Sequence, residues 1–401
     1  MKILIILATA GFIIWALLAL RSIRLARRSP RLTGDHAIAV PESELPHILA
    51  VVPAHNEETG IEMVVRGILS QNWPEEKLSL VVVNDQSTDQ TGEILFNLVE
   101  QPEFCFRLKV IQGKSRPQGW AGKTWAVEQG IESSPSQPWI WMVDSDMRLD
   151  QSILKVAYSK ALDHKADLVS LTAGVDAETF AQKTTALAMI HLLWQFYPLP
   201  YVNDSRKKVA LAHGAFLLIS REMYQRIGTI AAFRHEIIED IRLAQRVKAM
   251  GGQLAVHPAP ELTKTHFYGS LRQILDGLRK NAFAGMDFAN YKFWFGLIFG
   301  IFLCWIPLIC LIGGLTGLVL GWGNPAICIG VVLMGIYSWV FQAQSLWPIV
   351  VYLNLPRRFA LSLPIGGTIY MYACWLSYWD YVRGRVVWRG RDFQVSDLSS
   401  Q

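Results

Sequence analysis

The chain has 401 residues, enough for one large core plus additional segments and too many for one small domain. It is 51% apolar and only 18% charged, and the deficit sits at residues 3–20 and again from about 293 to 379, which excludes a wholly soluble enzyme with its usual ~25% of charged residues. A net charge of +5, with arginines gathered beside apolar runs and no separate basic stripe, argues against a nucleic-acid partner.

In chain order, the first apolar run (residues 3–20) is followed by Arg21, Arg24, Arg27, Arg28 and Arg31. Such clusters mark cytoplasmic ends of membrane segments and attract anionic headgroups. The run is longer than a signal-peptide core of roughly 7–15 residues, its basic flank lies after it, and no small-residue cleavage site follows. The expectation is an uncleaved transmembrane anchor over 1–20 with its C-terminal end in the cytoplasm; a signal peptide is the alternative. Residues 21–45 read as a basic, proline-containing connector.

Residues 46–290 have ordinary soluble composition. Short β-rich runs at 48–52, 80–83, 108–111, 139–143, 168–172 and 215–220 recur, with amphipathic helical stretches at 58–71, 91–99, 123–131 and 151–162. This alternation predicts an α/β domain with a mostly parallel sheet covered on both faces. Ligands of such sheets sit at the carboxyl ends of the strands.

Beyond Asn290 the chain turns apolar. Residues 293–320 and 325–341 can each span a hydrocarbon core of about 30 Å, and the turn at 321–324 holds no basic residue, which suits the outer face. Residues 359–376 are a third candidate, but Arg357 and Arg358 precede it and Arg383, Arg385, Arg389 and Arg391 follow it. Both its ends therefore look cytoplasmic, and it is either re-entrant or completes a hairpin with 346–353. The C-terminal membrane region covers 293–380 with two to four segments, and 381–401 form a cytoplasmic tail. Of five cysteines only Cys105 lies in the soluble part, with no metal or disulfide spacing.

Several motifs can carry chemistry. The first strand ends in Pro53-Ala54-His55-Asn56-Glu57-Glu58 and the second in Asn84-Asp85-Gln86-Ser87. Asp85 and Glu57 can accept hydrogen bonds from a base or ribose, or these polar residues cap the next helices. Gly119-Trp120-Ala121-Gly122-Lys123 opens a helix: glycines let the backbone approach an anion and Lys123 adds positive charge, unless this is a simple turn. Trp139-Ile140-Trp141-Met142-Val143 leads into Asp144-Ser145-Asp146. Two carboxylates at a strand end can hold Mg²⁺ or Mn²⁺ against a diphosphate. Glu239-Asp240 begins a helix, where acidic residues are comfortable as caps, or where one serves as general base. His266 could reach a metal or diphosphate, although a lone histidine is more often structural. Arg272, Arg279 and Lys280 read as interfacial snorkelling residues.

The ordered set of residues 53–58, 84–91, Asp144-Ser145-Asp146, the Gly228 turn and Glu239-Asp240 resembles family 2 glycosyltransferases of the GT-A (Rossmann-like) fold over residues 46–285. The resemblance implies a nucleotide-sugar donor held by Pro53, His55, Asn56, Glu57, Asp85, Gly122, Lys123 and Asp144. It further implies a metal at Asp144 and Asp146, to which His266 is added here as a candidate ligand on its position alone, Asp240 as catalytic base with Glu239 beside it, and inversion at the anomeric carbon. The Gly119–Lys123 motif, Lys280-Asn281-Ala282-Phe283-Ala284-Gly285 and Val387-Trp388-Arg389-Gly390-Arg391 are similar to the membrane-bound branch of carotenoid and hopanoid-associated glycosyltransferases, whose acceptor is an isoprenoid lipid. The Gln-x-x-Arg-Trp motif of processive polysaccharide synthases is missing, and Ser145 stands where many relatives carry Ala. The aromatic-rich residues 185–202, with Phe283, Phe288, Tyr291, Phe293 and Trp294, either form an interfacial belt for a lipid or pack as core and membrane anchor.

The sequence thus predicts an α/β GT-A catalytic domain between N- and C-terminal transmembrane helices, in a bacterial-type plasma membrane with the catalytic domain cytoplasmic. It would move a hexose from a donor such as UDP-glucose to a lipid hydroxyl. The alternatives are a transferase acting on polyprenyl phosphate or polysaccharide, and a non-catalytic sugar-nucleotide-binding membrane protein.

Overall fold

A computed structural model describes the chain except Ala39, Cys105, Ile237, Phe267, Tyr268, Asp287, Gly384, Arg389, Gly390 and residues 395–401. Cys105, Arg389 and Gly390 of the sequence motifs therefore lie outside the described residues. The elements run α1 (Lys2–Arg27), β1 (Ile48–Ala54), α2 (Ile61–Leu69), β2 (Leu78–Asn84), α3 (Thr91–Val99), β3 (Leu108–Gln112), α4 (Gly122–Glu132) and β4 (Trp139–Met142). Next come β5 (Met147–Leu149), α5 (Ile153–His164), β6 (Leu168–Thr172), β7 (Gly174–Asp176), α6 (Phe180–Phe196), α7 (Leu199–Val202), β8 (Leu217–Ser220) and α8 (Arg221–Arg226). The chain continues through α9 (Glu239–Ala249), β9 (Leu254–Pro258), β10 (Thr263–His266), α10 (Leu271–Asn281), α11 (Asn290–Leu320), α12 (Pro325–Tyr352) and α13 (Leu363–Val382). They divide into two compact units, one of residues 29–176 and 199–266, the other of 1–28, 177–198 and 267–396.

The first unit is built on a seven-stranded sheet in the order β3-β2-β1-β4-β8-β6-β9. β1 pairs in parallel with β2 and β4, β2 with β3, and β6 with β9. β8 is antiparallel to both neighbours. The sheet is mostly parallel, as expected; a short buried run carries no sign of its direction, so β8 could not be distinguished in sequence. Residues 48–52 are all buried, without alternation, because helices cover both faces. A second small sheet, β5-β10-β7, went unpredicted because strands of three or four residues are too short to show a period. α2 starts at Ile61 and not at 58, since the preceding loop is tied across to the next one: the Glu58 N–H donates to Asp89 Oδ2 (3.2 Å) and the Gln90 N–H to Glu58 Oε2 (3.1 Å).

The second unit is helical. α1, α11 and α12 are each long and apolar enough to cross a membrane. Leu4 lies against Gly313, Gly11 against Ile306, and Trp15 against Leu303, so α1 and α11 run antiparallel. Gly314 meets Val332, Gly335 meets Leu311, and Gln342 meets Cys304, so α11 and α12 are antiparallel too. Small residues permit this close approach, as helices packing in lipid require. Pro307 lacks an N–H and leaves the Leu303 carbonyl without its helical donor; the Trp15 indole fills that role at 3.2 Å. α13 packs beside the first half of α11 only: Trp305 bonds Thr368 (2.9 Å), Gly300 meets Met371, and Phe293 stacks on Tyr378 at 4.2 Å.

Two expectations need correction here. Most of residues 185–202 leave the soluble fold. α6 packs in the helical unit, with His191 on Trp15, Gln195 bonded to Ser22 (2.7 Å) and Phe180 on Phe359; only α7 stays with the sheet. Their composition suits an apolar environment of either kind, so sequence alone could not assign them. Arg279 is no free snorkelling side chain, since its guanidinium pairs with Asp380 of α13. Phe283 and Phe293 form a buried aromatic cluster with Tyr378 and Tyr381, whereas Tyr291 and Trp294 are exposed.

The α6–α13 contact makes one test. A side-chain carbon at Gly366 would fall 2.0 Å from the Thr184 carbonyl oxygen. Backbone cannot yield as a side chain does, so Gly366→Leu should cost about 3 kcal/mol and lower the midpoint of thermal unfolding followed by circular dichroism. An unchanged midpoint would contradict this packing.

Candidate active site

The carboxyl ends of three adjacent parallel strands, β1, β2 and β4, deliver the motifs to one edge of the sheet. After β1 and β2 the backbone turns through left-handed conformations at two non-glycine residues, Asn56 (φ 55°) and Gln86 (φ 56°). Strain of this kind persists only where surrounding contacts hold it, and here they do. The Asn56 amide oxygen accepts the Thr88 N–H (2.8 Å), the Asn56 N–H reaches Ser87 Oγ (3.0 Å), and the Glu57 N–H reaches Thr91 Oγ1 (2.8 Å). His55 Nδ1 lies 2.7 Å from the Asp85 carbonyl oxygen. Asn56 thus ties two loops together, while the buried Asp85 stands at the edge they frame. Gly113 sits beside Asp85, where a side-chain carbon would come within 3.3 Å of its carboxylate, so a glycine keeps that approach open. Pro53 is within β1 itself, paired in register with Val83.

Asp144 and Asp146 follow β4. Asp146 accepts a hydrogen bond from Thr265 Oγ1 of β10 (3.2 Å), a partner with no signature in the sequence. Desolvation, then the charges of Asp144 and Glu57, raise the Asp146 pKa above the ordinary carboxylate value; the side chain reaches solvent, and water moderates the shift. That mutual repulsion among carboxylates is what a cation would relieve. Among the described residues no group of three or more His, Cys, Asp or Glu side chains is arranged to hold a metal ion. Two carboxylates nevertheless suit Mg²⁺ or Mn²⁺, which take one or two from the protein and the rest of their shell from substrate phosphates and water. His266 closes β10 opposite Asp176, and its side chain lies outside the described residues.

Lys123, one residue into α4, joins the two halves of the site. Its Nζ lies 2.5 Å from Asp144 Oδ1 and 2.6 Å from Glu239 Oε1 at the start of α9. Burial opposes the ammonium charge, yet the two carboxylates hold its pKa well above the ordinary lysine value. Asp240 accepts the Gly214 N–H at Oδ2 (2.9 Å) and the Ile241 N–H at Oδ1 (2.8 Å). Burial, then the charge of Glu239, push its carboxyl up to about 6, while Lys123 and those two N–H groups pull the other way.

Gly214 is the residue that sequence reasoning missed. A side-chain carbon there would lie 3.1 Å from Lys123 Nζ, 3.2 Å from Asp144 Oδ2 and 3.6 Å from Asp240 Oδ2. Its bare backbone therefore marks where Asp144, Lys123 and Asp240 converge. Desolvation lowers the pKa of His213 beside it, and its backbone N–H donates to Ser170 Oγ (2.8 Å). The only sequence signal was a His-Gly pair just before a strand, which is too common to single out.

The start of α4 is also tied to the loop before α9. The Ala121 N–H (2.7 Å) and the Thr124 hydroxyl (2.6 Å) both donate to the Arg234 carbonyl. That loop is set from below by the buried Glu128, which accepts the Tyr224 hydroxyl (2.6 Å) and the Thr229 hydroxyl (3.0 Å) just after the Gly228 turn. The start of α4 is thereby fixed to the loop before α9 by backbone as well as by the charge pair of Lys123 and Glu239.

Comparison with known proteins agrees with this geometry. Residues 46–286 match the model of the family described as "Glycosyltransferase like family 2". The probable glycosyltransferase YdaM of Bacillus subtilis is 26% identical over 219 residues, covering 54% of this chain and 50% of that protein. The beta-monoglucosyldiacylglycerol synthase of Synechocystis is 30% identical over 153 residues, 36% of this chain and 30% of the synthase. The chain thus spans half or less of the length of these curated relatives. Among solved structures, the mannosyltransferase PcManGT of Pyrobaculum calidifontis, in complex with GDP-Man and Mn²⁺, superposes with a TM-score of 0.51 at 16% identity, over 94% of this chain and 98% of its own; this likeness concerns the fold. With the family model matched over more than half of its length, the chain belongs to glycosyltransferase family 2, and its α/β unit is of the GT-A type.

Proposed function

We propose that the protein is a membrane-embedded, inverting glycosyltransferase that moves a hexose from a nucleotide diphosphate sugar to a hydroxyl of a lipid. The observation that carries this reading is the convergence of Asp144, Lys123 and Asp240 around Gly214. Single displacement at an anomeric carbon requires three things: a place for the departing diphosphate, a base for the incoming hydroxyl, and open space between them. Lys123 and the α4 N-terminus serve the diphosphate, Asp240 takes the acceptor proton, and Gly214 leaves the space. Asp85 and the loops around His55 and Glu57 receive the nucleoside. A divalent cation, bound by Asp144 and Asp146, would supply charge neutralisation of the diphosphate. The Gly214 N–H orients Asp240 so that one carboxylate oxygen is fixed.

The donor assignment is supported by the GDP-Man and Mn²⁺ complex of the structural neighbour, and the lipid acceptor by the diacylglycerol synthase relative. Diacylglycerol joins the carotenoid and hopanoid alcohols of the sequence resemblance as the acceptor classes to test. Membrane residence rests on α1, α11 and α12. α13 begins opposite Trp305, partway along α11, and returns to Phe293, so it needs no crossing of its own. Three crossings then put Arg21–Arg28, Arg357, Arg358 and Arg383 on one side. By the positive-inside rule that side is the cytoplasm, and the catalytic unit follows α1 there.

Two measurements test the reading. Membranes containing the protein, given radiolabelled UDP-glucose, Mn²⁺ and a lipid extract, should place label in the organic phase. Asp146→Ala should lose that label, and Asp240→Asn should keep nucleotide binding while transfer falls by at least about a hundredfold. Silence with UDP-galactose, UDP-GlcNAc and GDP-mannose as well would sink the lipid acceptor. The pH dependence gives the second measurement. A base works only when ionised, so with its carboxyl pushed up to about 6, kcat/KM should fall as pH drops through that value. An acid limb at an ordinary carboxylate value of about 4 would remove Asp240 from the role.

A further inference from the structure

The Lys123 ammonium is engaged by two carboxylates from different elements, 2.5 Å from Asp144 and 2.6 Å from Glu239, with the Gly214 backbone alongside. Asp144 is also one of the two carboxylates that a cation on this motif would draw on. A divalent ion arriving alone would meet a neighbouring positive charge and, among the described residues, no third protein ligand to complete a cage. A diphosphate changes both conditions, since its oxygens can take over the ammonium and fill the metal's remaining positions. The lysine stem, with its several rotatable bonds, can make the exchange without backbone movement.

We propose that Lys123 is a donor-released latch, which ties Asp144 to Glu239 until the donor's diphosphate draws it away, so that metal binding depends on the donor. The proposal rests on the reading of Asp144 and Asp146 as the metal carboxylates. It casts Lys123 as a positioning residue as well as a phosphate contact. By linkage, whatever the nucleotide does for the metal, the metal does for the nucleotide.

The test is Mn²⁺ binding by the full chain in detergent, followed by the electron paramagnetic resonance of free Mn²⁺, with no sugar transfer involved. In the wild-type protein UDP or GDP should tighten Mn²⁺ binding by about tenfold or more, and UMP or GMP should not. Lys123→Met should bind Mn²⁺ without nucleotide more tightly than wild type and gain less from UDP or GDP, whereas Lys123→Arg should behave as wild type. Equal Mn²⁺ affinity of the wild-type protein with and without nucleotide diphosphate overturns the latch, and that arm needs no variant to fold. So does a Lys123→Met protein that binds Mn²⁺ no more tightly than wild type in the absence of nucleotide. If, in that second case, nucleotide-dependent Mn²⁺ binding persists in the wild-type protein and is lost in Asp146→Ala, the donor-site reading survives while the latch falls. Loss of nothing in Asp146→Ala would bring down the donor-site reading itself, and the latch with it.

Discussion

A single half-buried ammonium group organises the candidate site of this molecule. Lys123 is reached from α4, Asp144 from the end of β4 and Glu239 from the start of α9, the last far from the other two in sequence. Burying that charge is costly, and it is tolerable only because two carboxylates meet it at hydrogen-bond distance. The same arrangement governs Asp240. Burial and the neighbouring Glu239 raise its proton affinity and Lys123 lowers it, so that affinity is set by a balance of surroundings. Remove the lysine, and Asp144 and Glu239 lose the ammonium group that they share.

The scaffold explains why the balance can be held. β1, with both faces covered, anchors the centre of the sheet, and the loops after β1 and β2 are cross-tied through Asn56, Glu58 and Asp89. The α4 N-terminus is held by the Arg234 carbonyl, and that loop is braced by Glu128 and Tyr224. Rigid support of this kind lets short loops keep strained backbone at Asn56 and Gln86. The helical unit follows a different logic. Its helices come close through glycines at 11, 314, 335 and 366, and some of its polar groups pair across helices, as with Ser22, Ser345 and Gln195.

Much of this was legible in the chain. Six of the seven strands of the main sheet announced themselves as apolar, β-rich runs, β9 being the exception, and Asp85, Asp144, Asp146 and the Glu239-Asp240 pair stood where such strands and helices place ligands. What could not be read were features set by tertiary approach. Gly214 and Gly113 matter for what a side chain there would strike, and Thr265 matters because β10 folds back beside β5. Lys123 was visible as a positive charge at a helix start, but its second partner, Glu239, lies more than a hundred residues away. α6 carried an apolar pattern that suits a protein core and a membrane equally, so only its packing on α1 and α13 assigned it.

The account as a whole rests on one carboxylate, Asp240, acting as base in a single displacement. The anomeric configuration of the product tests that most directly. With an α-linked nucleotide sugar as donor, proton NMR of the glycolipid should show the β-anomer alone. An α-linked product would mean a retained configuration, and with it a mechanism in which Asp240 is not the base of one in-line step.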